Sequence, residues 1–509
     1  MSKVPGSTAR QWLALTVLTL TVLMLAVDGT VLALAVPALT ADLSATATQV
    51  LWIGDIYSFA IAGLLVTMGN LADRIGRKKL LLIGSAGFGI ASAIAAFSTS
   101  PEMLIAARAL LGVFGATLMP STLAIVRNVF ENPKQRTRAI AIWSAGATAG
   151  AAIGPLVGGA LLEHFSWGSV FLINVPVVLL VIVTGIFLLP ESFNSERPSI
   201  DVWSALLSIT TIVPAVYAIK HWVGTGFDWT VPVALIIGVV SGWIFVRRQQ
   251  RLETPLIDLE LFRIPAFSGA VGANTLAIFG FVGLLFFLSQ YLQLVRGLSP
   301  LQAGLAELPS AIASAAVVLV VTASVRWFGL GRSIGIGLFI AALGLGFLSI
   351  AESLPGLIWV IVALTVVGLG AGLAMTLSTD AVVSAAPKSR AGAAASISET
   401  AYELGVAMGI AVLGSLHTAF YRAHLPSLDG VAEPAASAVR QSLAAGSAVV
   451  GDSDPDLLVA AQHAFTSGMQ TTAIIAAALL AVAAFVAWKV IPSPRGANAT
   501  TGPVATVEH

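Results

Sequence analysis

Residues 47–97 read ATQVLWIGDIYSFAIAGLLVTMGNLADRIGRKKLLLIGSAGFGIASAIAAF and consist of two apolar runs joined by a basic turn. The runs cover residues 47–68 and 80–97, and each has about the 20 residues that a helix needs to cross a bilayer. The turn carries Arg74, Arg77, Lys78 and Lys79, and basic residues concentrate in the cytoplasmic loops of membrane proteins. The stretch therefore predicts a helical hairpin that crosses the membrane twice and turns in the cytoplasm.

The rest of the chain has the same character. Of its 509 residues, 57% are apolar and 10% are charged, against about 25% charged in an ordinary soluble domain. The mean hydropathy is +0.93. The apolar runs are continuous, whereas the strands of an outer-membrane barrel alternate between apolar and polar residues. The sequence predicts an all-α integral membrane protein with fourteen transmembrane helices, near residues 12–37, 47–68, 80–97, 102–126, 139–161, 167–189, 201–220, 230–248, 265–292, 301–323, 333–351, 356–379, 391–415 and 466–490.

The composition also excludes several classes of function. The 26 Lys and Arg residues barely outnumber the 25 Asp and Glu residues, so no positive excess is present to bind nucleic acid. The chain has no Cys, and its six His are too widely spaced for a metal motif such as HExxH. We expect no nucleic-acid partner, no metal site, no cofactor and no enzymatic activity, hence no catalytic residues.

The basic residues also predict the orientation. With the N-terminus in the cytoplasm, nearly all of the 26 Lys and Arg residues fall in cytoplasmic segments, which favours both termini being cytoplasmic. The exceptions are Lys220, Arg296, Arg422 and Arg440, which this count places outside, and Arg108, which lies within a span.

The spans group into two halves separated by an insertion. We predict an N-terminal six-helix bundle (1–190), an inserted two-helix hairpin with a cytoplasmic linker (191–264), a C-terminal six-helix bundle (265–490) and a cytoplasmic tail (491–509). A weak internal repeat supports this division, because the basic turns at 69–79 and 325–332 each follow the second helix of a half. The C-terminal half also contains an outer loop, 416–465, whose pieces 434–443 and 455–465 suit short surface helices. We favour a solvated spacer for this loop over a functional lid.

Five ionisable residues lie well inside predicted spans, where each costs about 2.5–3.5 kcal/mol on insertion scales. They are Asp28, Asp55, Arg108, Glu399 and Glu403. Asp28, Asp55 and Arg108 lie at similar depths, about 9–13 Å from the outer ends of their spans, so an Asp55–Arg108 ion pair is one reading. Asp28 and Glu399 have no obvious basic partner in their own halves. Glu399 and Glu403 share one helix face. Either these carboxylates fix helix packing, or they form a site where a proton and a cation compete.

Two glycine-containing segments suit moving parts. The turn at 69–79 carries Gly69, Asp73, Arg74, Gly76 and Arg77, and we interpret it as a conformational latch, because its glycines permit a sharp turn and close approach. The span at 139–161 carries a second set, which predicts a flat face for close helix packing and a bend at its proline. This set comprises Gly146, Gly150, Gly154, Pro155, Gly158 and Gly159.

Aromatic residues recur in the first, second and ninth spans. Four of them are candidates to line a pocket for a flat cation, although most such residues face lipid or core. These four are Trp52, Tyr57, Phe286 and Tyr291.

Several of these segments resemble the major facilitator superfamily. The stretch 69–79 resembles its signature turn, and 108–115 resembles its helix-four motif, whose Arg is linked to proton transfer. The stretch 150–159 resembles the motif that marks its exporters. Four further stretches (28–37, 52–58, 167–176 and 399–405) resemble the fourteen-helix drug:proton antiporters, in particular the QacA/LfrA-type multidrug exporters.

The resemblance implies a multi-pass protein of the cell inner (plasma) membrane that exports lipophilic cationic drugs by alternating access, driven by the proton gradient. Quaternary ammonium compounds, dyes and fluoroquinolones are the implied substrates, and antibiotic resistance the implied outcome. It assigns Asp28 and Glu399 as the leading proton or substrate carboxylates, supported by Asp55 and Glu403. Divalent-cation exporters of this family carry an added acid in helix ten, where this chain has Ser314, so mainly monovalent substrates are expected.

Two alternatives remain open at this point. One is a dedicated exporter of a single endogenous metabolite, antibiotic or lipid, and the other is a non-transporting membrane scaffold or sensor. The expected partners are small cationic drugs, protons and the lipid bilayer, and the expected state is a monomer.

Overall fold

The computed structural model describes residues 8–193, 201–252, 255–387, 390–451 and 453–492. Within these ranges the chain is helical and contains no β-strand. Most of the predicted cytoplasmic tail 491–509 and part of the predicted linker 191–264 therefore lie outside the described residues.

The helices up to residue 249 follow the predicted spans, and most of them begin earlier or end later than predicted, whereas the predicted span 167–189 is shorter and divided into two helices. They are α1 (Thr8–Leu43), α2 (Ala47–Ile75), α3 (Arg77–Ala96), α4 (Pro101–Val129), α5 (Pro133–His164), α6 (Ser169–Leu172), α7 (Asn174–Leu188), α8 (Val202–Thr225) and α9 (Thr230–Gln249). The end of the bundle where α1 ends, predicted to be extracellular, is called the outer end below.

The helices after residue 264 include two short π-helical segments. They are α10 (Pro265–Gln290) with a π segment at Tyr291–Val295, α11 (Pro300–Ala316), α12 (Val318–Phe328), α13 (Leu330–Ala351), α14 (Ile358–Ala385), α15 (Ala391–Met408) with a π segment at Gly409–Leu413, α16 (Gly414–His424), α17 (Glu433–Gln441), α18 (Leu443–Val450) and α19 (Pro455–Val490).

Thirteen helical segments in the described residues are long and apolar enough to cross a membrane. The pair α11 and α12 is bent by 49° and makes a fourteenth span if it is counted as one. The predicted short helix at 455–465 is wrong as a separate element, because α19 begins at Pro455 and runs on without a break. The chain of α15, its π segment and α16 likewise continues to His424, so the outer loop is shorter than predicted.

Helix ends follow local chemistry. Thr46 and Gln49 form a reciprocal capping box at the start of α2, and Ser100 caps α4 by accepting a hydrogen bond from the Met103 backbone N–H. Gly76 separates α2 from α3 with a φ of +112°, a conformation that a side chain rarely adopts. The sharp predicted turn is therefore present.

Buried apolar side chains form two large clusters. One lies among residues 14–189, and the other lies among residues 261–491 together with Leu34. Helix α8 packs against α2, α16 and the π segment before α16, while α9 packs on α8. The hairpin α8–α9 thus lies beside the bundle and contacts both clusters' helices through α8.

Candidate functional site

Asp28 on α1 pairs with Arg108 on α4. The side chains are almost completely buried, and Arg108 Nη1 lies 3.2 Å from Asp28 Oδ2. The other oxygen, Oδ1, accepts a hydrogen bond of 2.7 Å from Asn174 Nδ2, and that amide also donates to Ser92 Oγ. The prediction that Asp28 lacks a basic partner is therefore wrong. Asn174 completes the partnership of this carboxylate, although sequence reasoning gave it no role.

Arg108 links α4 to α2 as well. Its Nε donates a 3.1 Å hydrogen bond to the carbonyl oxygen of Ile53, and its guanidinium lies 4.6 Å from the centre of the Tyr57 ring. These contacts orient the guanidinium toward Asp28. The predicted Asp55–Arg108 ion pair is accordingly absent among the described residues, because Arg108 is already occupied.

Asp55 pairs instead with a lysine from the inserted hairpin. Lys220 Nζ on α8 lies 2.5 Å from Asp55 Oδ2, and both side chains are completely buried. The same ammonium lies 3.7 Å from the centre of the Trp52 ring, which is a cation–π contact. Placing Lys220 in an outer loop is therefore wrong. The predicted span ended at residue 220, whereas α8 continues to Thr225 and holds the lysine within the protein.

Glu399 and Glu403 lie one turn apart on α15, and their side chains are partly exposed. No Lys or Arg among the described residues lies within ion-pair distance of either carboxyl group. Glu403 lies near Ser58 on α2 and is close enough to Arg108 to interact electrostatically. The two glutamates are therefore the carboxyl groups of the predicted set that lack a cationic partner.

A further buried acid was not predicted. Glu307 on α11 is 7% exposed, and its Oε1 has no hydrogen-bond partner. The residue immediately precedes the 308–314 stretch that was compared with helix ten of divalent-cation exporters. The signal was present in the sequence, since an acid lies six residues inside a predicted span.

The four candidate aromatics separate into different environments. Trp52 and Tyr57 lie against the ammonium and guanidinium described above. Phe286 packs in an apolar cluster with Leu51 and Ile410. Tyr291 is wrong as a pocket residue, because it is fully buried, donates a hydrogen bond to the Glu352 carbonyl and accepts one from Arg296.

The glycines of α5 form a close-packed face. A Cβ atom at Gly150 would lie 2.5 Å from the carbonyl oxygen of Leu23 on α1, and one at Gly154 would overlap Thr30. Gly146 and Gly158 meet Thr19 and Val31 in the same way.

The same helix also meets the second half. A Cβ atom at Gly159 would lie 2.7 Å from the Pro300 carbonyl oxygen, and one at Gly304 on α11 would overlap the carbonyl of Pro155. The predicted flat face therefore packs against α1, and its outer end packs against α11.

The basic turn between α2 and α3 contains one internal ion pair. Arg77 lies 2.8 Å from Asp73, and the exposed Arg74 forms no described contact. A Cβ atom at Gly69 would meet only an ordinary contact at 3.7 Å, so close packing does not require glycine there.

Glu191 was not predicted to belong to this turn. Its carboxylate accepts hydrogen bonds from the backbone N–H groups of Lys78 and Lys79 and would lie only 2.8 Å from a Cβ atom at Gly76. An acid at a helix N-terminus stabilises the unpaired N–H groups there.

The outer loop is packed rather than solvated. Val439 on α17 and Leu443 and Val450 on α18 are buried. Tyr421 on α16 donates a 2.7 Å hydrogen bond to the Val439 carbonyl. The prediction of a solvated spacer is wrong for this part of the loop, because the two short helices cover apolar side chains at the outer end.

Sequence and structure comparisons identify the family to which this chain belongs. The sequence profile of the Major Facilitator Superfamily matches residues 18–410. The chain belongs to the Major Facilitator Superfamily. Relatives within it include the multidrug efflux pump LfrA of Mycolicibacterium smegmatis, with 46% identity over 94% of this chain and 95% of LfrA. The methyl viologen resistance protein SmvA of Salmonella typhimurium is 39% identical over 90% of this chain and 93% of SmvA.

A more distant relative is the tetracenomycin C resistance and export protein of Streptomyces glaucescens, 32% identical over 95% of this chain and 92% of that protein. Among solved structures, the inward-facing bacterial homologue of the lysosomal transporter Spinster superposes with a TM-score of 0.65 at 20% identity, covering 96% of this chain and 100% of that chain. This superfamily member is a multi-pass inner-membrane protein, its fold is that of the major facilitators, and its relatives are drug efflux and resistance proteins.

Proposed function

We propose that this protein exports lipophilic organic cations in exchange for protons, and that Glu399 and Glu403 are the groups at which cation and proton compete. The proposal rests on which of the predicted carboxylates have a cationic partner. Asp28 and Asp55 each have a cationic partner at 3.2 Å and 2.5 Å, whereas the two glutamates of α15 have none.

A carboxylate inside the bundle that has no cationic partner is stabilised when it binds a proton or a cation. If it can bind either, but not both, then proton entry releases the cation and cation entry releases the proton. The proximity of Glu403 to Ser58 brings this carboxyl group close to α2 across the two halves. Its occupancy can therefore affect how α15 and α2 pack, which is what coupling to alternating access requires.

The expected substrates are mainly monovalent cations, as the family resemblance implies, and the relative named for methyl viologen resistance suggests a test of that expectation. Methyl viologen is a dication. The buried Glu307 is an additional carboxylate for a second positive charge, so methyl viologen belongs in the substrate panel beside ethidium and tetraphenylphosphonium.

The test is efflux of ethidium from energised cells. We expect the wild type to extrude ethidium until an uncoupler is added, and Glu399→Gln and Glu403→Gln to lose this uncoupler-sensitive efflux. Glu163→Gln is the matched control, because Glu163 is an exposed acid on α5, and it is expected to export normally. Purified Glu399→Gln and Glu403→Gln should unfold no more readily than wild type, since each removes an unpaired charge. Normal efflux by the double glutamine variant would contradict the proposal.

A dedicated exporter is the second candidate, and the 32% identical tetracenomycin C export protein favours it. A panel of unrelated cations separates the two readings. Efflux of several structurally unrelated cations supports a multidrug exporter, while efflux of none of them supports a dedicated one.

A further inference from the structure

One charged side chain of the hairpin α8–α9 lies in the interior of the protein. Within its described residues, Lys220 is the charged group that is completely buried. Its ammonium contacts the Asp55 carboxylate at 2.5 Å and the Trp52 ring at 3.7 Å. Both partners lie on α2, one turn apart.

A carboxylate beside an aromatic face is the arrangement that proteins use to bind organic cations. The surroundings are apolar as well. Phe59, Val216, Ala407 and Ala411 form a buried cluster against which Trp52 packs. Trp52 itself is partly exposed, whereas the Asp55 carboxylate is completely covered, so a ligand would reach the carboxylate only when Lys220 moves away. The chemistry that holds the lysine ammonium is therefore suited to a monovalent lipophilic cation.

We propose that Asp55 and Trp52 form a second organic-cation site, which the ammonium of Lys220 fills when substrate is absent and for which a lipophilic cation competes. The proposal rests on the proposed function, in that the substrates are lipophilic cations. Exchange of one monovalent cation for another leaves Asp55 compensated at both ends of the exchange. The displaced ammonium of Lys220 has to release its proton or reach water, since an unpaired buried charge is costly, so the incoming cation must bind strongly enough to offset that cost.

The position of Lys220 gives this competition a mechanical consequence. The hairpin is attached to α2 by Lys220, and to α16 by Arg422, whose Nη1 donates to the carbonyl oxygens of Val223 at 3.0 Å and Gly224 at 2.8 Å. Displacement of Lys220 would free the outer part of α8 from α2 while Arg422 keeps it on α16, and the Ser208 hydroxyl would still donate to the Gly63 carbonyl oxygen of α2 at 3.2 Å nearer the other end of α8. The outer end of the hairpin would then move with the C-terminal half.

The first test is the binding of tetraphenylphosphonium to purified protein. If Lys220 leaves the site vacant for less than about one tenth of the time, the apparent affinity of the site for tetraphenylphosphonium is lowered at least about tenfold. Removal of the lysine should restore that affinity. We therefore expect Lys220→Ala to bind at least about tenfold more tightly, and Asp55→Asn/Lys220→Ala to lose this gain. Lys489→Ala is the matched control, because Lys489 also lies over an aromatic ring, at 5.8 Å, but is exposed.

The second test retains Lys220 and does not depend on the folding of a variant with an unpaired Asp55. A Cβ atom at Gly224 would lie 3.8 Å from Thr48 Cβ, which is close to the mean separation of about 3.8 Å in disulfides. The wild-type chain has no cysteine, so a pair of introduced cysteines has no competing thiol. Oxidised Thr48→Cys/Gly224→Cys fixes α8 to α2 one turn from Lys220, and we expect it to bind tetraphenylphosphonium about tenfold more weakly than the same protein after reduction.

The outcomes separate the two proposals. If wild type exports tetraphenylphosphonium in an uncoupler-sensitive way, but Lys220→Ala and the oxidised variant bind it as tightly as their controls, the competition is refuted and the proposed function stands. If neither wild type nor Lys220→Ala binds the probe while wild type still exports ethidium in an uncoupler-sensitive way, the second site is refuted and the proposed function stands. If wild type exports neither cation, both are overturned.

Discussion

The buried pair Asp28–Arg108 allows a quantitative test of the interior electrostatics. At a separation of 3.2 Å, Coulomb attraction with an effective dielectric constant of about 20 amounts to about 5 kcal/mol. Asp28→Asn keeps an oxygen that can accept from Asn174, so the main change is the loss of the negative charge beside Arg108. Breaking one side of a buried ion pair typically costs about 3–5 kcal/mol. We expect Asp28→Asn to lower the free energy of unfolding by that amount.

A double-mutant cycle isolates the interaction itself. Asp28→Asn/Arg108→Gln removes both charges, so it should be destabilised by less than the sum of the single variants, with a coupling free energy of about 3 kcal/mol, the upper end for residues in contact. The measurement is the free energy of unfolding of purified protein in mixed micelles titrated with sodium dodecyl sulfate.

The pair Arg440–Glu433 is the matched control. Its atoms are 3.4 Å apart, close to the buried distance, but its side chains are 53% and 77% exposed. Exposed pairs contribute about 0.2–1 kcal/mol. A coupling free energy for Asp28 and Arg108 no larger than that of the exposed pair would refute the argument that this charge network stabilises the bundle.

Three further predictions concern other parts of the fold. Gly150→Ala places a Cβ 2.5 Å from the Leu23 carbonyl oxygen and should lower the free energy of unfolding by about 1–3 kcal/mol. Gly272→Ala is the control, because a Cβ there would have nothing within 4 Å, and it should be neutral. Equal losses of stability in the two variants would disprove the packing argument. Glu191→Ala removes the cap of α3 and should cost about 0.5–2 kcal/mol, so unchanged stability would exclude a capping role. Hydrogen bonds from the Thr230 hydroxyl and His221 lower the pKa of Asp228 to about 2. A lowered pKa contributes stability that is lost only as the pH falls through that value, so Asp228→Asn should leave the pH profile of efflux between about pH 5.5 and 7.5 unchanged, and a shifted profile would contradict this.

The sequence predicted those features that depend on one helix at a time. Span positions follow from the length of apolar runs, and the face formed by Gly150 and Gly154 follows from their spacing of four residues. The cost of a charge in a membrane identified Asp28, Asp55 and the two glutamates of α15. Each of these inferences needs only a helical period and a depth.

Partners could not be predicted in this way, because depth along a helix does not determine the direction in which a side chain points. Asp55 and Arg108 share a depth, yet Arg108 faces Asp28 and Asp55 faces α8. Lys220 was placed outside because it fell at the edge of a predicted span, where an error of five residues decides between solvent and interior. The cap that Glu191 provides joins residues 113 positions apart, and no local pattern indicates it.

The Asp55–Lys220 contact has a consequence for the synthesis of the protein. The two residues are 165 positions apart, so at about 5–20 residues per second the ribosome makes the lysine about 8–33 s after the aspartate. Arg108 emerges in the meantime but pairs with Asp28. Until α8 is inserted, the newly made α2 carries an acid without its permanent partner, and α8 in turn carries a lysine that needs α2 already in place. The Asp55–Lys220 contact is therefore made only after α8 is inserted, and a truncated chain that ends before α8 leaves Asp55 without its lysine partner.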